Sequence, residues 1–162
     1  MAQYFLGVDN GGTVTKAALF DQNGREVASA SENTPVLTPQ KGYFERDMLQ
    51  LWQITARTIS RAVVKAGVDS ADIAGVGCTG HGKGLYLWGK ENGPIYNAVA
   101  STDHRAMEIV ERWRKDGTAL KAREKTLQNV IECQPAALLA WLKEKEPEVY
   151  SNIKWVFEAK DY

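Results

Sequence analysis

Gly7-Val8-Asp9-Asn10-Gly11-Gly12-Thr13-Val14-Thr15-Lys16 places an acid, a Gly-Gly pair, hydroxyls and a cation within ten residues, with an apolar run on either side. The upstream run, Tyr4-Phe5-Leu6-Gly7-Val8, reads as a strand, and Asp9-Asn10-Gly11-Gly12 is strong turn chemistry. Lys16-Ala17-Ala18-Leu19-Phe20 reads as a second strand. Asp21-Gln22-Asn23-Gly24 then turns the chain into Arg25–Ser31, and Asn-Gly is the usual signal for a type I′ hairpin turn. Three adjacent strands are therefore predicted over the first thirty residues. The turn between the first two suits phosphate chemistry. Glycines let backbone N–H groups approach anionic oxygens, and adjacent amides form an anion-binding concavity. Thr13 adds a hydroxyl donor, Lys16 a positive charge, and Asp9 a carboxylate able to hold a Mg²⁺-bound water. The same residues would equally make an ordinary tight turn, because a glycine-rich loop alone does not separate the two.

Outward from this stretch, Asn33–Tyr43 is a proline- and glycine-bearing surface loop. A helix is predicted after Asp47, with Asp47 and Gln50 placed as a capping box and Gly67 as its stop. Met48, Leu51, Trp52, Ile59, Ala62, Val63 and Ala66 recur at helical spacing as its inward face. Ile73–Thr79 reads as a buried strand, Gly80-His81-Gly82-Lys83-Gly84 as a loop, and Leu85–Trp88 as a short strand before the turn Glu91-Asn92-Gly93-Pro94. A second helix is predicted over Arg105–Lys115, with Met107, Val110 and Trp113 inward. A third starts at Pro135, with Leu138, Leu139 and Leu142 inward, and ends at Pro147. Ile153–Phe157 is a last buried strand.

Composition narrows the function classes. With 20 Lys+Arg against 20 Asp+Glu in 162 residues, the formal net charge is zero. The balance is also local, nine of each sign over Met1–Thr102 and eleven of each over Asp103–Tyr162. No basic face is left to attract nucleic acid or an anionic membrane surface. The longest apolar run, Ala136–Leu142, has seven residues, against the roughly 20 that a spanning helix needs. Two cysteines, Cys78 and Cys133, make no disulfide framework and fit a reducing, cytoplasmic setting. No His or Cys cluster has metal-ligand spacing.

Seven motifs come in one order along the chain. They are the glycine turn, the Asn23-Gly24 hairpin, Gly42-Tyr43-Phe44-Glu45-Arg46-Asp47 with Leu51-Trp52, and Gly75 with Gly84. Asp103-His104-Arg105-Ala106, Pro135 through Tyr150, and Lys160-Asp161-Tyr162 complete them. In this order and spacing the chain resembles the N-terminal part of the FGGY family of carbohydrate kinases, essentially from end to end. Glu45-Arg46-Asp47-Met48 and Ser101-Thr102-Asp103 are most similar to the L-xylulose and 3-keto-L-gulonate kinase branch. The resemblance implies a ribonuclease-H-like α/β fold of the actin, Hsp70 and sugar kinase superfamily. Residues 1–162 would be the N-terminal, sugar-binding lobe of that fold, incomplete, without the C-terminal ATP-binding lobe.

By position, Asp9 resembles the family's Mg²⁺-linked acid, acting on the metal through water. Gly11 matches the family's Asp-x-Gly-Thr pattern, Gly12 stands where its threonine usually is, Thr13 offers a hydroxyl one residue later, and Lys16 matches the basic residue closing the motif. These five would bind the phosphates of ATP with Mg²⁺. On the sugar side, His81 stands at the family's usual glutamine position and Lys83 at the next polar one. Each is equally an ordinary structural or solvated residue. Asp103 would accept hydrogen bonds from two sugar hydroxyls and Arg105 would orient it, unless Asp103 is simply a helix N-cap. Ser101 stands where several members carry tryptophan, which implies a more polar or roomier pocket. Glu45 and Arg46 read as an ordinary surface pair.

The family's catalytic base is expected beyond Tyr162, since Asp161 comes too early in the pattern, so no catalytic residue is assigned here. The expected function is ATP-dependent phosphorylation of a ketose or related sugar hydroxyl by a longer enzyme, the 162 residues alone being inactive. The alternative is a non-catalytic sugar- or nucleotide-binding fragment that pairs with another chain. Either way, the expected partners are a small sugar and a C-terminal lobe or a second copy, with Trp155, Val156, Phe157 and Tyr162 as the exposed seam.

Overall fold

A computed structural model describes residues 3–162. The chain forms two compact units. The first comprises residues 3–35, Met48–His81 and Ala159–Asp161. Its strands β1 (Tyr4–Asn10), β2 (Val14–Asp21) and β3 (Glu26–Asn33) form the predicted antiparallel meander. Helix α1 (Met48–Ala66) and a short 3₁₀ turn over Ser70–Asp72 then return the chain to β5 (Ile73–Gly80), parallel to β1. The sheet order is β3-β2-β1-β5. Strand alternation sends Leu6, Val8, Ala17 and Leu19 to one face, where Ala62 of α1 and the partly buried Ile59 and Val63 close the core. Gly67, at φ +66°, ends α1 as expected.

Four details of this unit differ from the sequence reading. The Asp21–Arg25 turn is not type I′, which needs positive φ at both central residues. Only Gly24 is left-handed; its N–H donates to Asp21 O and the Asp21 N–H to Arg25 O. Asp21 Oδ1 accepts from the Asn23 and Arg25 N–H groups, an Asx arrangement that competes successfully with the Asn-Gly preference. Trp52, expected inward, is 59% exposed. The inward stripe runs instead through Ile54, Thr55 and Thr58. Both threonine hydroxyls donate to carbonyls four residues back, which makes them acceptable inside. Finally, Ile73–Thr79 is a strand but not a buried one, since β5 lies at the sheet edge and leaves Val76 60% exposed.

The second unit comprises Val36–Asp47, Gly82–Glu158 and Tyr162. Two ribbons frame it, β4 (Glu45–Arg46) against β7 (Ala98–Val99) and β6 (Tyr86–Gly89) against β8 (Ile153–Phe157). Helices α2 (Met107–Lys115), α3 (Thr118–Thr126), α4 (Pro135–Lys145) and α5 (Pro147–Ser151) complete it. Leu85, Leu87, Val99, Ile109, Val110, Leu138, Trp141 and Leu142 pack as one core. Pro135 does occupy the first turn of α4, but Pro147 opens α5 as well as closing α4. Ile109 takes the inward place expected of Met107, which is exposed. Helix α3 was not anticipated, because its composition, Thr-Ala-Leu-Lys-Ala-Arg-Glu-Lys-Thr, carries no apolar stripe. Strand β8 is half exposed at Trp155 and Val156 rather than buried, having β6 as its only ladder partner among the described residues.

Gly84 is where backbone geometry is tightest. It sits at φ +78°, its N–H donates to Cys133 O at 2.8 Å, and a Cβ would lie 2.5 Å from the Val99 carbonyl oxygen. Gly24, at φ +76°, has nothing within 4 Å of the same position. Gly24→Ala is therefore expected to cost about 1 kcal/mol from left-handed strain alone. Gly84→Ala adds overlap with an immobile carbonyl, about 1–3 kcal/mol or more. Urea denaturation of both variants checks this ordering, and equal losses would refute it.

Candidate functional site

The phosphate-loop residues lie where β1 passes into β2. Gly11 donates its N–H to Val14 O at 3.1 Å, and a Cβ there would sit 2.7 Å from the same oxygen, so the turn requires glycine. At Gly12 a Cβ would meet nothing within 4 Å, so that position has room for a side chain. Asp9 and Lys16 are directly opposed in the β1–β2 ladder and therefore share a face of the sheet. That face is the one α1 does not cover. An open cavity of about 340 Å³ is lined there by Asp9, Lys16, Gly7, Phe20 and Cys78. Neither the Asp9 carboxylate nor the Lys16 ammonium has a hydrogen-bond or ion-pair partner among the described residues. Thr13 is exposed beside them.

Asn10, which the sequence reading passed over as turn filler, fastens this loop. Its Oδ1 lies 3.0 Å from the Thr55 hydroxyl, whose one proton it shares with Leu51 O, and accepts more weakly from Thr15, and its carbonyl accepts from His81 N–H at 3.1 Å. A Cβ at Gly80 would lie 3.2 Å from the same carbonyl oxygen and 3.1 Å from the Lys160 main-chain nitrogen, so the strand end has little room for a side chain. The structure thus brings the half-buried His81 to the end of the sheet that carries the glycine turn. Between His81 and Gly82 the chain leaves the first unit for the second.

Lys83 is exposed and left-handed, at φ +66°, one of three non-glycine residues with positive φ among those described. Asn92 is in a turn and Leu127 caps α3, so only Lys83 lies in a loop that carries candidate ligands. Cys133 is buried beside it. Burial pushes the Cys133 thiol up, opposed by the positive charge of Lys83. Nothing in the sequence marked Cys133, because an isolated cysteine has no spacing to read.

Asp103 and Arg105 do come together, but with each other. Arg105 Nε donates to Asp103 Oδ1 at 2.8 Å and Nη2 to Oδ2 at 2.9 Å, the main-chain N–H of Arg105 also reaches Oδ1, and Phe44 N–H donates to Oδ2 at 2.7 Å. The two side chains are 0% exposed. The expected acceptance from two sugar hydroxyls is therefore not what this carboxylate does: its lone pairs are committed to protein donors. Nor is Asp103 the N-cap of α2, a position held by Ala106 without a side-chain bond. The remaining Arg105 donors go to Glu45 Oε1 at 2.7 Å and Tyr96 Oη at 3.1 Å. Burial alone would lower the Arg105 pKa; the hydrogen bonds with Asp103 and Glu45 and the charge of Asp103 outweigh that and raise it. The ring of Tyr43 lies 4.3 Å from its guanidinium carbon, and those of Trp141 and Tyr96 at 5.2 and 5.9 Å. Glu45 and Arg46, read as a surface pair, are both buried. Two residues of strand between aromatics and an acid offered no alternation from which burial could be read.

Comparison with known proteins bears on the family and the fold. The family model described as "FGGY family of carbohydrate kinases, N-terminal domain" matches residues 4–162. The chain is 44% identical over 162 residues to an L-xylulose/3-keto-L-gulonate kinase of Escherichia coli (strain K12), covering all of this chain and 32% of that protein. It is 40% identical over 159 residues to a probable L-xylulose kinase of Pasteurella multocida (strain Pm70), covering 98% of this chain and 33% of that one. The chain thus spans about a third of the length of the curated relatives it matches. Among solved structures, gluconate kinase from Lactobacillus acidophilus superposes with a TM-score of 0.92 at 28% identity, covering 98% of this chain and 32% of that one. The fold is the mixed α/β fold of the actin, Hsp70 and ribonuclease-H-like sugar kinases. On the match over residues 4–162, the chain belongs to the FGGY family of carbohydrate kinases, as part of its N-terminal domain.

Proposed function

We propose that these residues supply the first phosphate loop and part of the sugar site of an enzyme that transfers the terminal phosphoryl group of ATP to a sugar hydroxyl. The relatives named for L-xylulose and 3-keto-L-gulonate support a ketose or related carbohydrate as acceptor. The observation that carries the reading is the uncommitted Asp9–Lys16 pair, sharing one face of the sheet beside a glycine turn.

Phosphoryl transfer is catalysed mainly by positioning and charge stabilisation. In this reading the hydroxyl of Thr13 faces phosphate oxygens and Lys16 offsets their charge, while Gly11, its N–H committed to Val14 O, shapes the turn that presents them. Among the described residues, no three His, Cys, Asp or Glu side chains cluster as metal ligands. Asp9 fits Mg²⁺, which commonly takes one or two carboxylates together with phosphate oxygens and waters. When bound, Mg²⁺ neutralises charge on the transferring group. His81 and Lys83 hydrogen-bond sugar hydroxyls from the loop after β5. Asp103 and Arg105 serve the acceptor indirectly, by holding the Ser101–Asp103 segment in place. The base that takes the hydroxyl proton is assigned to none of these residues.

Steady-state kinetics of the full-length protein with Mg-ATP and a ketose panel tests this. Asp9→Asn is expected to lower kcat more than it raises the sugar KM, since the acid acts on the transferring group. Lys83→Ala is expected to raise the sugar KM first. Unchanged kinetics in both would reduce the glycine loops to structural turns.

Arg105→Lys keeps a charge but loses the planar fork that serves Asp103, Glu45 and Tyr96 together. Removing a partner from a buried ion pair costs about 3–5 kcal/mol. Arg105→Ala should approach that loss, Arg105→Lys should lose less, and both should raise the sugar KM. A denaturation midpoint unchanged in Arg105→Ala would contradict the supporting role.

A further inference from the structure

An open cavity of about 530 Å³ in the second unit is used by none of the chemistry above. Its walls include Gln40, Tyr43, Tyr96, Asn97, Trp141 and Glu146. The volume falls within the range of small-molecule sites, and a few polar groups set among aromatic surfaces is their usual make-up. We infer that this cavity binds a neutral polyhydroxylated ligand, a carbohydrate or polyol, on the rings of Tyr43, Tyr96 and Trp141.

The choice of chemistry follows from which lining groups are already committed. Glu45 also lines the cavity, but its two oxygens accept from Arg105 and from Asn97 Nδ2, so it offers little to a ligand. By contrast, the Tyr43 hydroxyl, the Trp141 indole N–H, the Gln40 amide, Asn97 Oδ1 and the Glu146 carboxylate have no hydrogen-bond partner among the described residues. These are donors and acceptors in mixture, spread around ring surfaces. A sugar hydroxyl is both donor and acceptor, and the apolar C–H face of a pyranose or polyol covers an aromatic ring, so such a ligand uses the whole set.

Charged ligands use less of it. No basic side chain lines the cavity, and the Glu146 carboxylate faces it, which disfavours an anion. A cation would leave the indole and amide donors unused. It would also lean on rings that already hold the guanidinium of Arg105, at 4.3 Å for Tyr43 and 5.2 Å for Trp141. The positive charge of Arg105 opposes a second cation on those rings, while Glu146 is partly solvated and screened. The arrangement therefore favours the neutral ligand.

The test is a titration of ¹⁵N-tryptophan-labelled full-length protein, reading the indole resonance of Trp141, assigned by its loss in Trp141→Phe. Glucose and xylitol serve as neutral probes, choline as the cation and gluconate as the anion. The expected result is a saturable shift with a neutral probe at millimolar concentration, with weaker or absent responses to choline and gluconate. That shift should persist in Glu146→Gln, which keeps hydrogen-bonding capacity, and weaken roughly three- to tenfold in Glu146→Ala. It should also persist in Lys83→Ala, which perturbs the substrate loop of the proposed kinase and not this cavity. No saturable response to either neutral probe would overturn the inference. So would a choline response abolished by Glu146→Gln, which would mark an ammonium site, or a gluconate response as strong as that of the neutral probes. Loss of the shift in Lys83→Ala would overturn it too, by tracing the signal to the substrate loop. The readout requires no turnover, so its outcome is independent of whether the kinase reading stands.

Discussion

A guanidinium with no access to water must find every one of its partners inside the protein, and in the second unit that requirement organises the chain around Arg105. Its donors reach Asp103, Glu45 and Tyr96, and three aromatic rings enclose it. To meet them, the segment around Glu45 must lie against Ala98–Val99, and the start of α2 must fold back on Phe44 through Asp103. Trp141 brings α4 to the same place. Residues some sixty positions apart, Glu45 and Arg105, are thus held by one charge. Removing a partner from such a cluster is costly because the others are left buried and uncompensated.

The first unit is held together differently. Its sheet rests on backbone ladders and on an apolar face under α1; near the glycine turn Asn10 and Thr15 are bonded within the unit, while the side chains of Asp9, Lys16 and Thr13 are left over. This contrast separates the candidate residues. Asp9, Lys16 and Thr13 are accessible and uncommitted, as ligand-binding groups have to be before a ligand arrives. Asp103 and Arg105 are fully engaged, as supporting groups have to be.

Family membership rests on the whole length of the chain. The FGGY match extends over nearly the whole chain, and the positions at which the chain departs from the resemblance, Gly12, His81 and Ser101, all lie outside helices and strands.

Much of the fold was legible in the sequence by itself. Apolar periodicity and turn residues located the three-stranded meander, α1 with its glycine stop, the strand after it, α4 beginning at Pro135, and β8, because these signals are local and survive in a linear reading. The order of the glycine turn, Asp103-His104-Arg105-Ala106 and Lys160-Asp161-Tyr162 was sufficient to indicate the family. Helix α3 was invisible, having no apolar stripe, and the hairpin turn was misread because the Asp21 side chain outbids the Asn-Gly preference. What only the tertiary structure decided was burial and partnership. Glu45 is a surface acid in one dimension and a buried counter-ion in three, Asn10 is turn filler until Thr55 and His81 reach it, and Asp103 is a sugar ligand until Arg105 saturates it. The physical reason is that a polar side chain's role depends on which long-range donor or acceptor desolvates it. No spacing along the chain encodes that before the chain has folded.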